Sequence, residues 1–323
     1  MEQSAKSRHL HRGLSIIELM IALGLGVIIM LGVTTVATQN SAIRNELERT
    51  GRQIESAIYA MDVIERDVAN AAFWGERGEI GPDVQPPICI SDPNEAERSM
   101  GYTIQGGRGD FSCDGSTISP KANSDYIAIR RVSSCEILDT ECEAAGNNMH
   151  LQVHACFDLT SALKPGDDFK IVVGTSGLDY LKRDCLTAAP IYRFINHVYY
   201  IDDNDTLKRL AMGENGNYGS PESLVENVEM MRFEYGLDVN RDAQVDDLVS
   251  AGLADPNDPD WGDVAMVRVK LVVRNHQQTS GFTDDRTYSL GGLSYTPTDT
   301  AFRRKLYTRT ISPRNIIGRR ENP

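Results

Sequence analysis

The stretch RGLSIIELMIALGLGVIIMLGVTTVATQN, residues 12–40, decides how the rest of this chain is to be read. From Leu14 to Ala37 it is an apolar run about as long as a bilayer is thick, ~20 residues of helix. It carries one ionisable residue, Glu18. A carboxylate at the centre of a membrane helix costs roughly 2.5–3.5 kcal/mol on insertion scales, so its presence there calls for a function. Gly13 precedes the run, and Lys6, Arg8 and Arg12 precede Gly13. Those basic residues set the N-terminal flank in the cytoplasm and everything after the run on the far side. A secretory signal peptide fits less well: the run exceeds the usual h-region, contains Glu18, and has no small-residue cleavage site at its end.

Working outward, the sequence continues without proline through RNELERTGRQIESAIYAMDVIERDVANAAFW. Apolar residues recur at Ile43, Leu47, Ile54, Ile58, Met61, Ile64, Val68 and Ala72, with Arg44, Glu48, Arg52, Glu55, Arg66 and Asp67 elsewhere on the wheel. That spacing predicts a continuous helix from about Leu14 to about Phe73, ~90 Å long at 1.5 Å per residue. Its first half would lie in lipid or among sister helices, and its second half would pack the stripe on a sheet. Gly24, Gly26, Gly32 and Gly51 each weaken it by ~1 kcal/mol relative to alanine. The first three suit either close packing between membrane helices or a segment that bends on leaving lipid.

Glycines and prolines in GERGEIGPDVQPP end the helix. Residues from there to about Ser124 read as a long decorated loop holding Cys89 and Cys113, pinned by a disulfide. It includes Arg108-Gly109-Asp110, which a glycine turn explains more simply than adhesion. Strand patterns follow: DYIAIRRV, MHLQVHACF, FKIVVG, IYRFINHVYYI, LKRLAM, VEMMRFEYGL, DVAMVRVKLVV and RKLYTRTIS. Ala265, Val267, Val269, Leu271 and Val273 alternate with Arg268, Lys270 and Arg274, which marks a half-buried strand. Short turns imply antiparallel hairpins. One long helix followed by many strands makes an α+β domain.

The formal net charge of −13 argues against nucleic acid as a partner, since phosphate would be repelled. Six cysteines, Cys89, Cys113, Cys135, Cys142, Cys156 and Cys185, all follow the membrane run. In a translocated domain an even count favours disulfides. Cys135 and Cys142 flank a short acidic loop and are the first expected pair; Cys156 with Cys185 is the second. Asp238, Asn240, Asp242, Gln244 and Asp246 follow EF-hand-like spacing and could hold calcium, although Ala243 replaces the turn glycine and Val249 the closing glutamate. A solvated acidic hairpin explains the same residues. His150, Gln152, His154 and Cys156 share a strand face that an ordinary polar surface accounts for. No H-E-x-x-H, G-x-S-x-G, P-loop or dinucleotide fingerprint occurs, and nothing specific points to an enzyme.

Gly13, an apolar residue after it, and Glu18 five positions on form the spacing that prepilin peptidases read. The N-terminus resembles that of type IV pilins. Later blocks, ERDVANAAFWG, VENVEMMRFEYGLD, WGDVAMVRVKLVVRN and RTISPRN, follow the order of PilW-type minor pilins. The resemblance implies a pilin-like fold with a leader at 1–13, a transmembrane and filament-core helix at 14–38, its amphipathic continuation at 39–74, and a periplasmic or extracellular β-rich domain at 75–323. It also implies cleavage between Gly13 and Leu14, N-methylation of Leu14, and pairing of Glu18 with a neighbouring subunit's N-terminal ammonium. The implied partners are the prepilin peptidase, other minor pilins, the major pilin and a large tip adhesin. The implied course runs from single-pass inner-membrane precursor to the pilus or cell surface. A minor pseudopilin of type II secretion is the nearest rival, and a membrane-anchored periplasmic enzyme or binding module is a rival of another class.

Overall fold

A computed structural model describes residues 15–78, 80–82, 84–137, 145–156, 168–249 and 259–321. The long helix α1 spans Ile16–Ala69. By contacts the chain divides into Met1–Gly51 and Arg52–Pro323.

In the first of these units α1 is helical without interruption from Ile16 onward. Large apolar side chains from Ile16 to Val36 are all more than half exposed. The segment is long and apolar enough to cross a bilayer, and none of its apolar window is buried. Burying such a surface would be worth roughly 1.5–3 kcal/mol per large side chain, so the segment calls for a non-aqueous environment.

In the second unit two antiparallel sheets pack around the remainder of α1. The first has the order β1 (Ile104–Arg108), β4 (Asp125–Glu136), β7 (Ile191–Ile201), β5 (Met149–Val153), β6 (Phe169–Val173). The later half of β7 also pairs with β8 (Thr206–Ala211), which pairs with β9 (Glu222–Glu226). The second sheet has the order β11 (Asp247–Val249), β10 (Val228–Leu237), β12 (Val264–Arg274), β15 (Arg304–Ile311). Alternation in β12 holds: Ala265, Val267, Val269, Leu271 and Val273 are all buried. Val267, Val269 and Leu271 face Tyr235, Phe233 and Met231 across the β10 ladder.

The buried face of α1 differs from the expected stripe. Met61, Ile64 and Val68 enter the core, but Ile54 is 37% and Ile58 47% exposed. The core face runs Gln53, Ala57, Ala60, Met61, Ile64, Asp67 and Val68. Ala57 and Ala60 explain the choice, because small side chains let the helix backbone approach the sheets closely where isoleucine would hold it off. Asp67, expected on the solvent side, is buried as well.

The loop expected between the helix and Ser124 contains folded pieces. They are helix α2 (Pro93–Ser99), capped by Asp92, then β1 and the hairpin β2 (Phe111–Cys113) with β3 (Ser116–Ile118). A second small hairpin joins β13 (Tyr288–Leu290) to β14 (Leu293–Tyr295). Helix α3 (Arg314–Glu321) closes the described chain.

Candidate functional site: the N-terminal helix segment and the acidic loop

Gly13 and Leu14 lie outside the described residues. Glu18 sits in the first turn of α1, where Oε2 accepts a hydrogen bond from the Ser15 backbone N–H at 3.1 Å. Ser15-Ile16-Ile17-Glu18 thus forms half of a capping box, in which the fourth residue reaches back to the N–H of the first. Its negative charge also meets the positive end of the helix dipole. Glu18 therefore has a local role that the motif-based reading passed over, although the S-x-x-E spacing was legible.

The acidic loop between β10 and β11 closes on itself. Asp238 is fully buried and its carboxylate accepts from the Asp242 and Ala243 N–H groups, both at 3.0 Å. Its remaining demand is met by Arg320 of α3, whose Nη1 lies 3.0 Å from Oδ2. The Asp246 carboxylate accepts from the Val239 N–H at 2.9 Å, and Asp242 Oδ1 from the Gln244 N–H at 2.9 Å. Asn240 Nδ2 lies 3.3 Å from Asp242 Oδ2. The first ligand of the expected calcium set thus already has a guanidinium beside it. No group of three or more His, Cys, Asp or Glu among the described residues converges as a metal site. Sequence could not show this, because Arg320 lies more than eighty residues from Asp238.

On β5, His150 Nδ1 lies 2.8 Å from the Gly174 carbonyl, and just past the strand His154 Nδ1 accepts from the Leu181 N–H at 3.3 Å. Each serves the local fold. Arg108 of the Arg-Gly-Asp tripeptide is paired with Asp125 at 2.9 Å, and Gly109 takes a left-handed φ of 86° in the turn. Disulfides join Cys89 to Cys113 and Cys156 to Cys185. Cys135 is disulfide-bonded too, and its expected partner Cys142 lies outside the described residues.

The strongest polar centre was not foreseen. Asp67 of α1, 4% exposed, accepts from Arg131 Nη2 on β4 at 2.8 Å and from the Tyr199 hydroxyl at 2.5 Å. His197 Nδ1 on β7 lies 2.5 Å from the same carboxylate. Burial pushes the Asp67 carboxyl up, but hydrogen bonding and charge from His197, the Arg131 charge and the Tyr199 hydroxyl outweigh it and hold its pKa well below the usual carboxylate range. The same contacts push the Tyr199 hydroxyl well above its ordinary value, burial first and the Asp67 charge second. This network bolts the helix to the first sheet.

Comparison with known proteins is informative over the C-terminal part. Residues 198–315 match the family model PilW, described as type IV pilus-assembly protein W. They take in the end of β7, all of the second sheet and the start of α3. No curated protein matches the chain. Among solved structures, the type IV-like pilin TTHA1219 from Thermus thermophilus is similar over 82% of this chain and 98% of its own, at 10% identity and a TM-score of 0.37. One chain thus joins a long apolar helix, antiparallel sheets packed on its later part, and a segment at 198–315 that is similar to the PilW family of type IV pilus assembly.

Proposed function

We propose that the protein is a minor pilin that primes type IV pilus assembly or caps the filament tip together with other minor pilins. The observation that carries this reading is the apolar segment of α1: Ile16 to Val36 form a helical run long and apolar enough to cross a bilayer, with Glu18 as the one charge among them. Such a surface is stable first in a bilayer and then among other helices. Cleavage between Gly13 and Leu14 by a prepilin peptidase would place a new ammonium four residues from Glu18. Paired with a neighbouring subunit's ammonium, the carboxylate loses the penalty of standing alone in a dry helix bundle. Ile54 and Ile58, exposed on the same helix, extend the surface available to sister subunits, including the major pilin. The acidic β domain behind them is what the filament carries, facing other minor pilins and a tip adhesin.

The test is the protein itself in sheared pili. The expected result is a Leu14-start form, N-methylated, present in small proportion to the major subunit. Recovery of pili of normal number and composition from a deletion strain that instead fails to secrete exoproteins would transfer the protein to type II secretion.

A further inference from the structure

Asn204-Asp205-Thr206 is the one place in the sequence where an asparagine is followed two residues later by serine or threonine. With a residue other than proline between them, that is the acceptor signature for N-linked glycosylation. Asp202 stands two residues before Asn204, and an acidic residue there is the further feature that bacterial transferases of this class read. The fold sets the signature at the tip of a hairpin: β7 ends at Ile201 and β8 begins at Thr206. The bonds that shape the turn come from Asp202 and the backbone. Asp202 Oδ1 accepts from the Asn204 N–H at 3.0 Å and from the Thr206 N–H at 2.9 Å, and the Asp202 carbonyl accepts from the Asp205 N–H at 3.1 Å. Asp205 takes a left-handed φ of 58° and is tied to Arg274 at 3.3 Å and to Lys121. Asn204 itself is exposed, so a substituent on its amide nitrogen would extend into solvent and displace none of these bonds. Thr206 is 8% exposed, and its hydroxyl donates to the Asn204 carbonyl at 3.4 Å. A transferase has to reach that hydroxyl, so the transfer belongs to the chain before β8 closes on β7.

We infer that Asn204 is an acceptor for N-linked glycosylation and that the exported β domain carries a saccharide on this turn. The donor is an oligosaccharide joined through a diphosphate to a membrane lipid. A bond forms between Asn204 Nδ2 and the anomeric carbon of the sugar, and the bond from that carbon to the diphosphate oxygen breaks. The lipid diphosphate leaves, and the displaced amide proton passes to a base of the transferase. A bulky, hydrophilic group at this position makes the β7–β8 tip a surface that faces solvent. The inference rests on export of the β domain, which the proposed function also requires and which the Cys89–Cys113 and Cys156–Cys185 bridges support independently. It asks nothing of Glu18 or of leader cleavage.

The experiment uses full-length protein from the membranes and sheared pili of the producing bacterium, digested with trypsin and sequenced by electron-transfer mass spectrometry over residues 194–208. The expected spectrum places a saccharide on Asn204. Asn204→Gln and Thr206→Ala should each abolish the modified peptide, and Thr206→Ser, which also carries a hydroxyl, should keep it. Asp202→Asn retains an oxygen for the bonds that shape the turn but loses the charge, so it should keep the melting temperature and lose most of the modified peptide. Bare Asn204 in every copy would overturn the inference, as would a saccharide that survives Asn204→Gln or Thr206→Ala. Undiminished modification of a folded Asp202→Asn protein would overturn the part given to Asp202. A Leu14-start form in sheared pili with Asn204 bare would overturn this inference alone and leave the pilin reading standing.

Discussion

Glu18 and Asp67 are both carboxylates on α1, and their surroundings give them opposite tasks. Glu18 stands on an exposed apolar surface and caps the first turn through the Ser15 N–H. A glutamine can also close a capping box, so Glu18→Gln separates the two roles. Glu18→Gln and Glu18→Ala should both yield processed, membrane-inserted protein that is missing from sheared pili. Normal incorporation of the glutamine variant would show that capping, not charge, is what the position supplies. Asp67 is satisfied internally by Arg131, His197 and Tyr199. Asp67→Asn leaves the half-buried Arg131 guanidinium without its counter-charge and unsettles the hydrogen bonds of Tyr199 and His197, and should cost about 2–4 kcal/mol in urea unfolding at neutral pH. The depressed pKa fixes the sign of the pH dependence. Unfolded aspartate titrates near ~3.9, so the stabilisation is fully present above that pH and is lost as pH falls toward the folded-state value. Wild-type stability should fall steeply below about pH 4, and Asp67→Asn should flatten that slope.

At the scale of elements, the C-terminal strand and helix hold the far end of α1. Arg309 of β15 pairs with Asp62 and Glu65 of the helix. Asn315 Nδ2 donates to the Ala71 carbonyl at 3.1 Å and Arg319 Nη1 to the Ala72 carbonyl at 3.4 Å, beyond the last turn of α1. A helix C-terminus leaves carbonyls without intrahelical partners, and cationic donors there suit the dipole. Arg320 of the same short helix neutralises Asp238. Arg320→Ala should therefore destabilise the domain by about 3–5 kcal/mol, since it strands a fully buried carboxylate. On the helix itself, Ile64→Ala should cost about 2–5 kcal/mol through the cavity it leaves, whereas Ile58→Ser should change stability by less than about 0.5 kcal/mol. Thermal melts of the two variants side by side check which helical face is the core face. An equal loss from both would return Ile58 to the core.

For the whole molecule, the acidic loop and the disulfides hold distant parts of the β domain together. With Arg320 beside Asp238, neither calcium nor a chelator should move the melting temperature. A calcium-dependent rise would mean that the loop opens to replace the guanidinium. Cys89–Cys113 ties the segment before α2 to the β2–β3 hairpin, and Cys156–Cys185 ties the chain just after β5 to the chain before β7. Both close loops of under thirty residues. Reduction should lower stability by about 2–4 kcal/mol per bridge, as loop closure entropy predicts.

The residues that announced this protein do so through local chemistry. The leader charges, Gly13, Glu18 and the unbroken apolar run are contiguous, and length and spacing alone fix what solvent they need. Alternation at Ala265, Val267, Val269, Leu271 and Val273 was equally readable, because a strand packed on a core must place every second side chain inward, whereas burial of Val272 on the other face comes from Tyr288 and Leu290 far along the chain. Tertiary contact decided the rest. Ile54 and Ile58 carry the right periodicity for a core, yet Ala57 and Ala60 are the residues that face the sheets, and only the closeness of helix and sheet selects between them. Asp67 gained partners from strands far along the chain, and Asp238 gained Arg320 from the final helix. The sequence by itself determined a long apolar helix followed by an α+β domain, because its signals are short-range. Which carboxylates are satisfied internally was settled only when the fold brought distant cations to Asp67 and Asp238, because those partners lie far along the chain.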